Sequence, residues 1–294
     1  MQKNQLTIKN KTIFEGISLH SGLITRMSLI PAQIDTGIVF IRTDVKKSQP
    51  IVANWKNIVS TNLCTKIANK YGHSVSTIEH LMFALYSLGI TNLIIEINNV
   101  EVPILDGSAK IFVDEILKNG LLIQKKDVKI LNILKPVEVQ NGNKYIKFEP
   151  TKKNFLEINY ILHYKDEFIK KQKFILRNVH QNYLEVSNCR TFCHQEDLEK
   201  IFSMGLAKGG SLENAIVISG NKILNQGGLR YPDEPVRHKV LDCVGDLYLS
   251  GYFLTGKIFC SQGGHEMTAK LLTKIFDNKN NYRIVLDQPI KKIA

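Results

Sequence analysis

The sequence predicts a chain of mixed strands and helices in two similar halves, and three observations carry this. Apolar runs at strand spacing fill 12–19, 24–29 and 37–42, punctuated by Pro31, Gly37 and Pro50. A helix over 77–88 then stops at Gly89, and a strand over 92–97, a polar loop and a helix over 108–118 follow. The same order returns later as a helix over 234–250, Gly251, a strand over 253–260, a Gly-rich loop and a helix over 265–276. Setting Gly89 on Gly251 places His80 on Asp242, each nine residues before its glycine. The match reads as an internal duplication.

The remaining elements fall between these. A short strand over 121–123 precedes the polar stretch Gln124-Lys125-Lys126-Asp127, which places a boundary between a domain 1–125 and a domain 126–294. A hairpin follows, with strands over 137–139 and 145–148 around Asn141-Gly142-Asn143. Asn-Gly accepts the positive φ angles of tight hairpin turns. Strands over 155–164 and 172–178, a short helix over 194–204 and a strand over 214–219 complete the pattern. Asp106 stands before the helix over 108–118 and reads as part of its cap.

Composition excludes several classes. Hydrophobic residues make up 44% of the 294 and charged residues 22%, a globular balance with enough chain for two cores. No apolar run approaches the roughly 20 residues that span a bilayer. The start Met1-Gln2-Lys3-Asn4-Gln5 lacks the apolar core of a signal peptide, so a cytoplasmic location is expected. The five cysteines, Cys64, Cys189, Cys193, Cys243 and Cys260, are odd in number and read as free thiols. The net charge of +12 comes from lysines spread along the chain, beside many Asn and Ile. That reads as compositional drift and not as a nucleic-acid surface, and no aromatic-rich RNA-binding strand motif is present.

Metal-type ligands stand on the two matching helices. His238 and Asp242 lie at i and i+4, so they project from one helix face. His80 is the candidate third ligand. Two histidines and a carboxylate fit a catalytic zinc, which keeps a fourth position open, and Glu79 beside them is a candidate general base. Each residue has a plainer reading. The His/Asp pair fits a surface hydrogen-bonded pair, and Glu79 fits a first-turn acid favoured by the helix dipole.

Seven blocks bear a resemblance to one family. They are Gly16-Ile17-Ser18-Leu19-His20-Ser21-Gly22, residues 76–85, Pro103-Ile104-Leu105-Asp106-Gly107-Ser108, Cys189-Arg190-Thr191-Phe192, Gly205-Leu206-Ala207-Lys208-Gly209-Gly210-Ser211, residues 237–247, and Gly263-Gly264-His265. Occurring in order over 12–287, they resemble the UDP-3-O-acyl-N-acetylglucosamine deacetylases, zinc amidases of bacterial lipid A synthesis. The resemblance implies an α+β fold of two topologically similar domains. Each packs a sheet against two helices, and the helices face each other across the interface.

The resemblance also implies a site. Zinc is held by His80, His238 and Asp242, with ferrous iron the alternative for the same donors. Glu79 is the base that activates water. His265 is the cation that protonates the leaving amine, and Asp246 supports it. Thr191 donates to the oxyanion. Lys239, expected on a different helix face from His238, meets the substrate diphosphate. An acyl passage over about 190–218 is lined by Phe192, Ala207, Gly210, Ser211, Ala215 and Val217. His20 ranks lower, near the metal. The implied substrate is UDP-3-O-(3-hydroxyacyl)-N-acetylglucosamine, deacetylated to release acetate. A monomer with transient contact at a membrane surface is the expectation for the chain, apart from what the resemblance implies. No fused second enzyme is expected before Ala294.

Overall fold

The computed structural model describes residues 3–164 and 168–286. Within them the helices are α1 (Glu79–Leu88), α2 (Lys110–Asn119), the single turns α3 (Val179–Asn182) and α4 (Leu184–Ser187), α5 (Leu198–Ser203), α6 (Glu234–Leu247) and α7 (His265–Phe276). They combine with several sheets in an α+β fold. Among the described residues no helix is long and apolar enough to cross a membrane.

The five-stranded sheet runs in the order Thr12–Ile17, Ile24–Pro31, Leu93–Ile97, Ile38–Arg42, Ile51–Val52. Leu93–Ile97 is central, antiparallel to Ile24–Pro31 and parallel to Ile38–Arg42. A parallel neighbour needs a long crossover, and α1 lies in it. The larger sheet repeats the device. Its central strand Phe253–Ser261 follows α6 and pairs parallel with Leu156–His163 and antiparallel with Lys144–Glu149. Its first residues also run parallel to Lys129–Ile133. Helices α1 and α6 therefore hold equivalent places.

Both helices end the same way. Gly89 stands at φ 77° after α1, and Gly251 at φ 78° after the 3-10 turn Tyr248–Ser250 that prolongs α6. This left-handed cap favours glycine, because a Cβ would crowd the backbone there. Each glycine N–H returns to the last turn of its helix, and the next strand then enters its sheet. The aligned glycines of the sequence are thus aligned caps.

The two helices touch backbone to backbone. A Cβ added at Gly245 of α6 would lie 2.0 Å from the Glu79 carbonyl oxygen and 3.1 Å from the Phe83 nitrogen. All ten residues of α1 are buried. Tyr86 packs edge-on against Tyr248 at 5.2 Å and Phe253 at 5.3 Å, tying the ends of the two helices together.

Several boundaries differ from the sequence reading. Helix α2 starts at Lys110, because Ser108 Oγ accepts the Lys110 N–H while Asp106 accepts from the Ser108 N–H and hydroxyl. Asp106 shapes the turn before the cap. The stretch 124–127 lies in a strand, Leu121–Asp127, paired antiparallel with Asn4–Ile8. Its polarity misleads because Gln124 is paired: it accepts from Asn92 and donates to the Ala32 carbonyl. The short helix expected over 194–204 is present as the 3-10 turn Gln195–Asp197 running into α5, and only its first residue, His194, belongs to a strand, Phe192–His194, beside Ile216–Ser219.

Candidate active site

Three lone-pair atoms converge where α1 meets α6. Asp242 Oδ1 lies 3.3 Å from His238 Nε2 and 3.5 Å from His80 Nε2. Donor atoms of all three residues fall within 4.8 Å of one another, a spacing that suits a metal ion. His238 Nδ1 is 3.0 Å from the Cys189 carbonyl, which only accepts, so that nitrogen carries the proton and Nε2 is a bare donor. Burial drives the His238 pKa down to about 3, against the pull of Asp242, so the ring is neutral. Asp242 Oδ1 is buried without a hydrogen-bond partner. A bare nitrogen facing a bare carboxylate oxygen is unfavourable unless a cation lies between them. The residues therefore fit a divalent ion.

Asp242 is anchored from its other side. Lys239 Nζ bonds Oδ2 at 2.9 Å. Burial opposes ionisation of Asp242, but the surrounding charges, the Lys239 ammonium among them, hold its carboxyl well below the usual range. Lys239 was expected on a different face from His238. Both residues line one cleft, the Lys239 ammonium being held there by the carboxylate three residues on.

A second pair sits beside the first. His265 opens α7, and its Nδ1 is 2.8 Å from Asp246 Oδ2. Burial lowers the His265 pKa, but the Asp246 charge and hydrogen bond outweigh it and raise the ring to about 9. His265 is thus a cation at neutral pH. Its Nε2 lies 4.0 Å from Glu79 Oε1. Burial pushes the Glu79 carboxyl above the ordinary range, partly offset by His265 and His80. Thr65 reaches both acids: its N–H donates to Glu79 Oε2 at 3.1 Å and its hydroxyl to Asp246 Oδ1 at 2.6 Å.

Next to the cleft lies an apolar cavity of about 370 Å³. Its walls include Phe192, Ala207, Gly210, Ser211, Ala215 and Val217, so all six residues anticipated for an acyl passage surround one space. The cleft and the cavity share Leu19, His20, Leu63 and Thr191. The nearby Ala207 N–H lies 3.4 Å from His20 Nδ1.

The sequence reading missed Leu63 and Thr65, which lie in a short polar run without helix or strand period. It also missed the Cys189 carbonyl, a backbone group with no sequence signal. Glu101 was missed as well. Its carboxylate accepts from the His20 and Ser21 N–H groups and the Thr77 hydroxyl, so it locks the Leu19–His20 loop to the start of α1.

Two histidines and a carboxylate around a buried point, beside an acid and a cationic imidazole, define a hydrolase of the metal-assisted class. Residues 5–277 match the family described as UDP-3-O-acyl N-acetylglycosamine deacetylase. Proteins named UDP-3-O-acyl-N-acetylglucosamine deacetylase are similar along nearly their whole length. The Haemophilus ducreyi protein is 39% identical over 96% of this chain and 92% of its own. That of Campylobacter fetus subsp. fetus is 39% identical over 99% and 98%, and that of Geotalea uraniireducens 40% over 99% and 94%. The chain belongs to the UDP-3-O-acyl-N-acetylglucosamine deacetylase family.

Proposed function

We propose that this protein hydrolyses the acetamide of UDP-3-O-(3-hydroxyacyl)-N-acetylglucosamine, releasing acetate in lipid A synthesis, with zinc held by His80, His238 and Asp242. One observation carries the choice of substrate within the amidase class. The apolar cavity and the polar cleft share walls, so a fatty chain and a neighbouring acetamide can be held together. Family membership supports the same reading.

A bound zinc ion supplies Lewis acidity toward water and the acetamide carbonyl. Glu79 Oε1 takes a proton as water adds to the carbonyl carbon, and burial keeps that carboxylate basic enough to do so. The Thr191 hydroxyl donates to the oxygen that gains charge. His265 Nε2 gives its proton to the sugar nitrogen as the C–N bond breaks, so the amine leaves neutral. Asp246 keeps that imidazole charged until then. Lys239 uses one ammonium proton on Asp242 and retains two for an anionic part of the substrate. Phe192, Ala207, Gly210, Ser211, Ala215 and Val217 hold the acyl chain.

The test is chelation and add-back. Acetate release from this substrate should vanish on metal removal and return with about one equivalent of zinc per chain. His238→Ala should fold, hold little metal and stay inactive. Return of full activity with ferrous iron and not with zinc would replace zinc in this reading. Activity that survives complete chelation would remove the metal from it.

A further inference from the structure

The acid that receives the proton and the cation that delivers it come from different helices, yet both are tied to one residue. Thr65 is 1% exposed and sits in the turn between the strands Ile58–Ser60 and Lys66–Ala68. Its amide and its hydroxyl point to opposite partners. The N–H holds Glu79 Oε2, which leaves Oε1 as the carboxylate oxygen facing His265. The hydroxyl holds Asp246 Oδ1 at 2.6 Å, while Asp246 Oδ2 holds His265 Nδ1 at 2.8 Å. With both its oxygens engaged, the Asp246 carboxylate is fixed in plane, and the imidazole on it is fixed in turn.

We infer that Thr65 is a positioning residue for the reaction, one side chain and one amide that set the separation of Glu79 Oε1 and His265 Nε2. The inference rests on the roles proposed for Glu79 and His265. Those two atoms lie 4.0 Å apart, close enough for both to act on one reacting centre beside them. A proton enters on one side and leaves on the other, so both atoms must hold their places in a single turnover. The turn that presents Thr65 has a demanding backbone. Leu63, two residues earlier, stands at φ 59°, a conformation that costs a non-glycine residue energy and persists where the surroundings impose it. The same turn sends Leu63 to the shared wall of cleft and cavity. One loop from the first half of the chain thus touches the acid, the support of the cation and the entrance to the acyl cavity. Asp246 comes from α6, so this loop also couples the two halves at the point of chemistry.

The test is Thr65→Val beside Thr65→Ser. Valine keeps the shape and the amide but deletes the hydroxyl, so only the link to Asp246 is lost. The expected result is a kcat lowered about tenfold or more, the effect of removing a hydrogen bond to a charged group. KM and metal content should stay unchanged, and serine should restore most of kcat. A second readout needs no turnover. In metal-free protein the His265 Nδ1 proton should give a slowly exchanging downfield NMR signal in wild type and in Thr65→Ser. In Thr65→Val it should broaden or exchange faster. If valine prevents folding, Thr65→Ala against Thr65→Ser compares the same hydroxyl. Wild-type kcat and an unchanged His265 signal in the hydroxyl-deleted variant would overturn the inference. Glu79→Gln, run alongside, separates this from failure of the underlying roles: if Glu79→Gln also turns over normally, the proton-transfer assignment itself is wrong.

Discussion

At the residue scale, the site is a set of lone pairs and protons whose places are fixed by neighbours. Glu79→Gln keeps the shape of the side chain, including an oxygen for the Thr65 amide, but removes the basic oxygen. Turnover should fall at least about 100-fold, the common scale for loss of a general base, with metal content unchanged. Equal turnover by the two proteins would contradict the role of Glu79. His265 gives a pH prediction with a definite sign. Its pKa is raised from 6.5 to about 9, so the ring is charged in the folded protein at neutral pH. Activity should fall as pH rises through about 9, and His265→Gln, on its residual activity, should lack that limb. Stability should follow the same proton. The contribution of the Asp246–His265 pair is complete below about 6.5 and is lost as pH rises toward 9. The melting temperatures of wild type and His265→Gln should therefore converge over that range. Much of this scale was legible. His80, His238, Asp242, Glu79 and His265 stand in short blocks with recognisable spacing. The tautomer of His238 was not legible, because the Cys189 carbonyl that fixes it is a backbone atom.

At the element scale, the close approach of α1 and α6 is what brings His80 to the pair on α6. Gly245 permits it. In an isolated helix Gly→Ala would stabilise by about 1 kcal/mol. Here the new Cβ would meet the Glu79 backbone at 2.0 Å, which no side-chain movement can relieve. Gly245→Ala should thus lower the melting temperature and weaken metal binding together, although it touches no ligand. Calorimetry and metal content of the purified variant check this, and a more stable variant with full metal would show that the helices can part without cost. The sequence marked both helices and the two capping glycines, because period and αL caps are local. It did not mark Gly245, whose role depends on a neighbour more than 160 positions away. Polar strand residues were lost for the same reason: Asn4–Ile8 and the 124–127 end of Leu121–Asp127 place Gln5 and Gln124 on Asn92, and the pairing that makes them strand is not local.

At the scale of the whole molecule, the proposed function depends on two spaces that share a wall. The cleft gathers residues from both halves, and the cavity is closed by Leu19, His20 and Leu63 from the first and by residues 191–224 from the second. The family blocks named several of these residues, but their enclosure of one space depends on long-range packing. Gly210 lines the cavity, and a Cβ added there would lie 3.2 Å from the Ala207 carbonyl oxygen. Gly210→Leu should fill the space and abolish most discrimination for an acylated substrate while the metal site stays loaded. Four methylenes buried in the cavity are worth roughly 3 kcal/mol, or about a hundredfold in kcat/KM. The most direct measurement is therefore the ratio of kcat/KM for acetate release from UDP-3-O-(3-hydroxyacyl)-N-acetylglucosamine and from UDP-N-acetylglucosamine by the same zinc-loaded protein. A ratio of about one hundred or more in favour of the acylated substrate is expected. Equal values would contradict the joint use of cleft and cavity, and with it the assignment to the acylated sugar nucleotide.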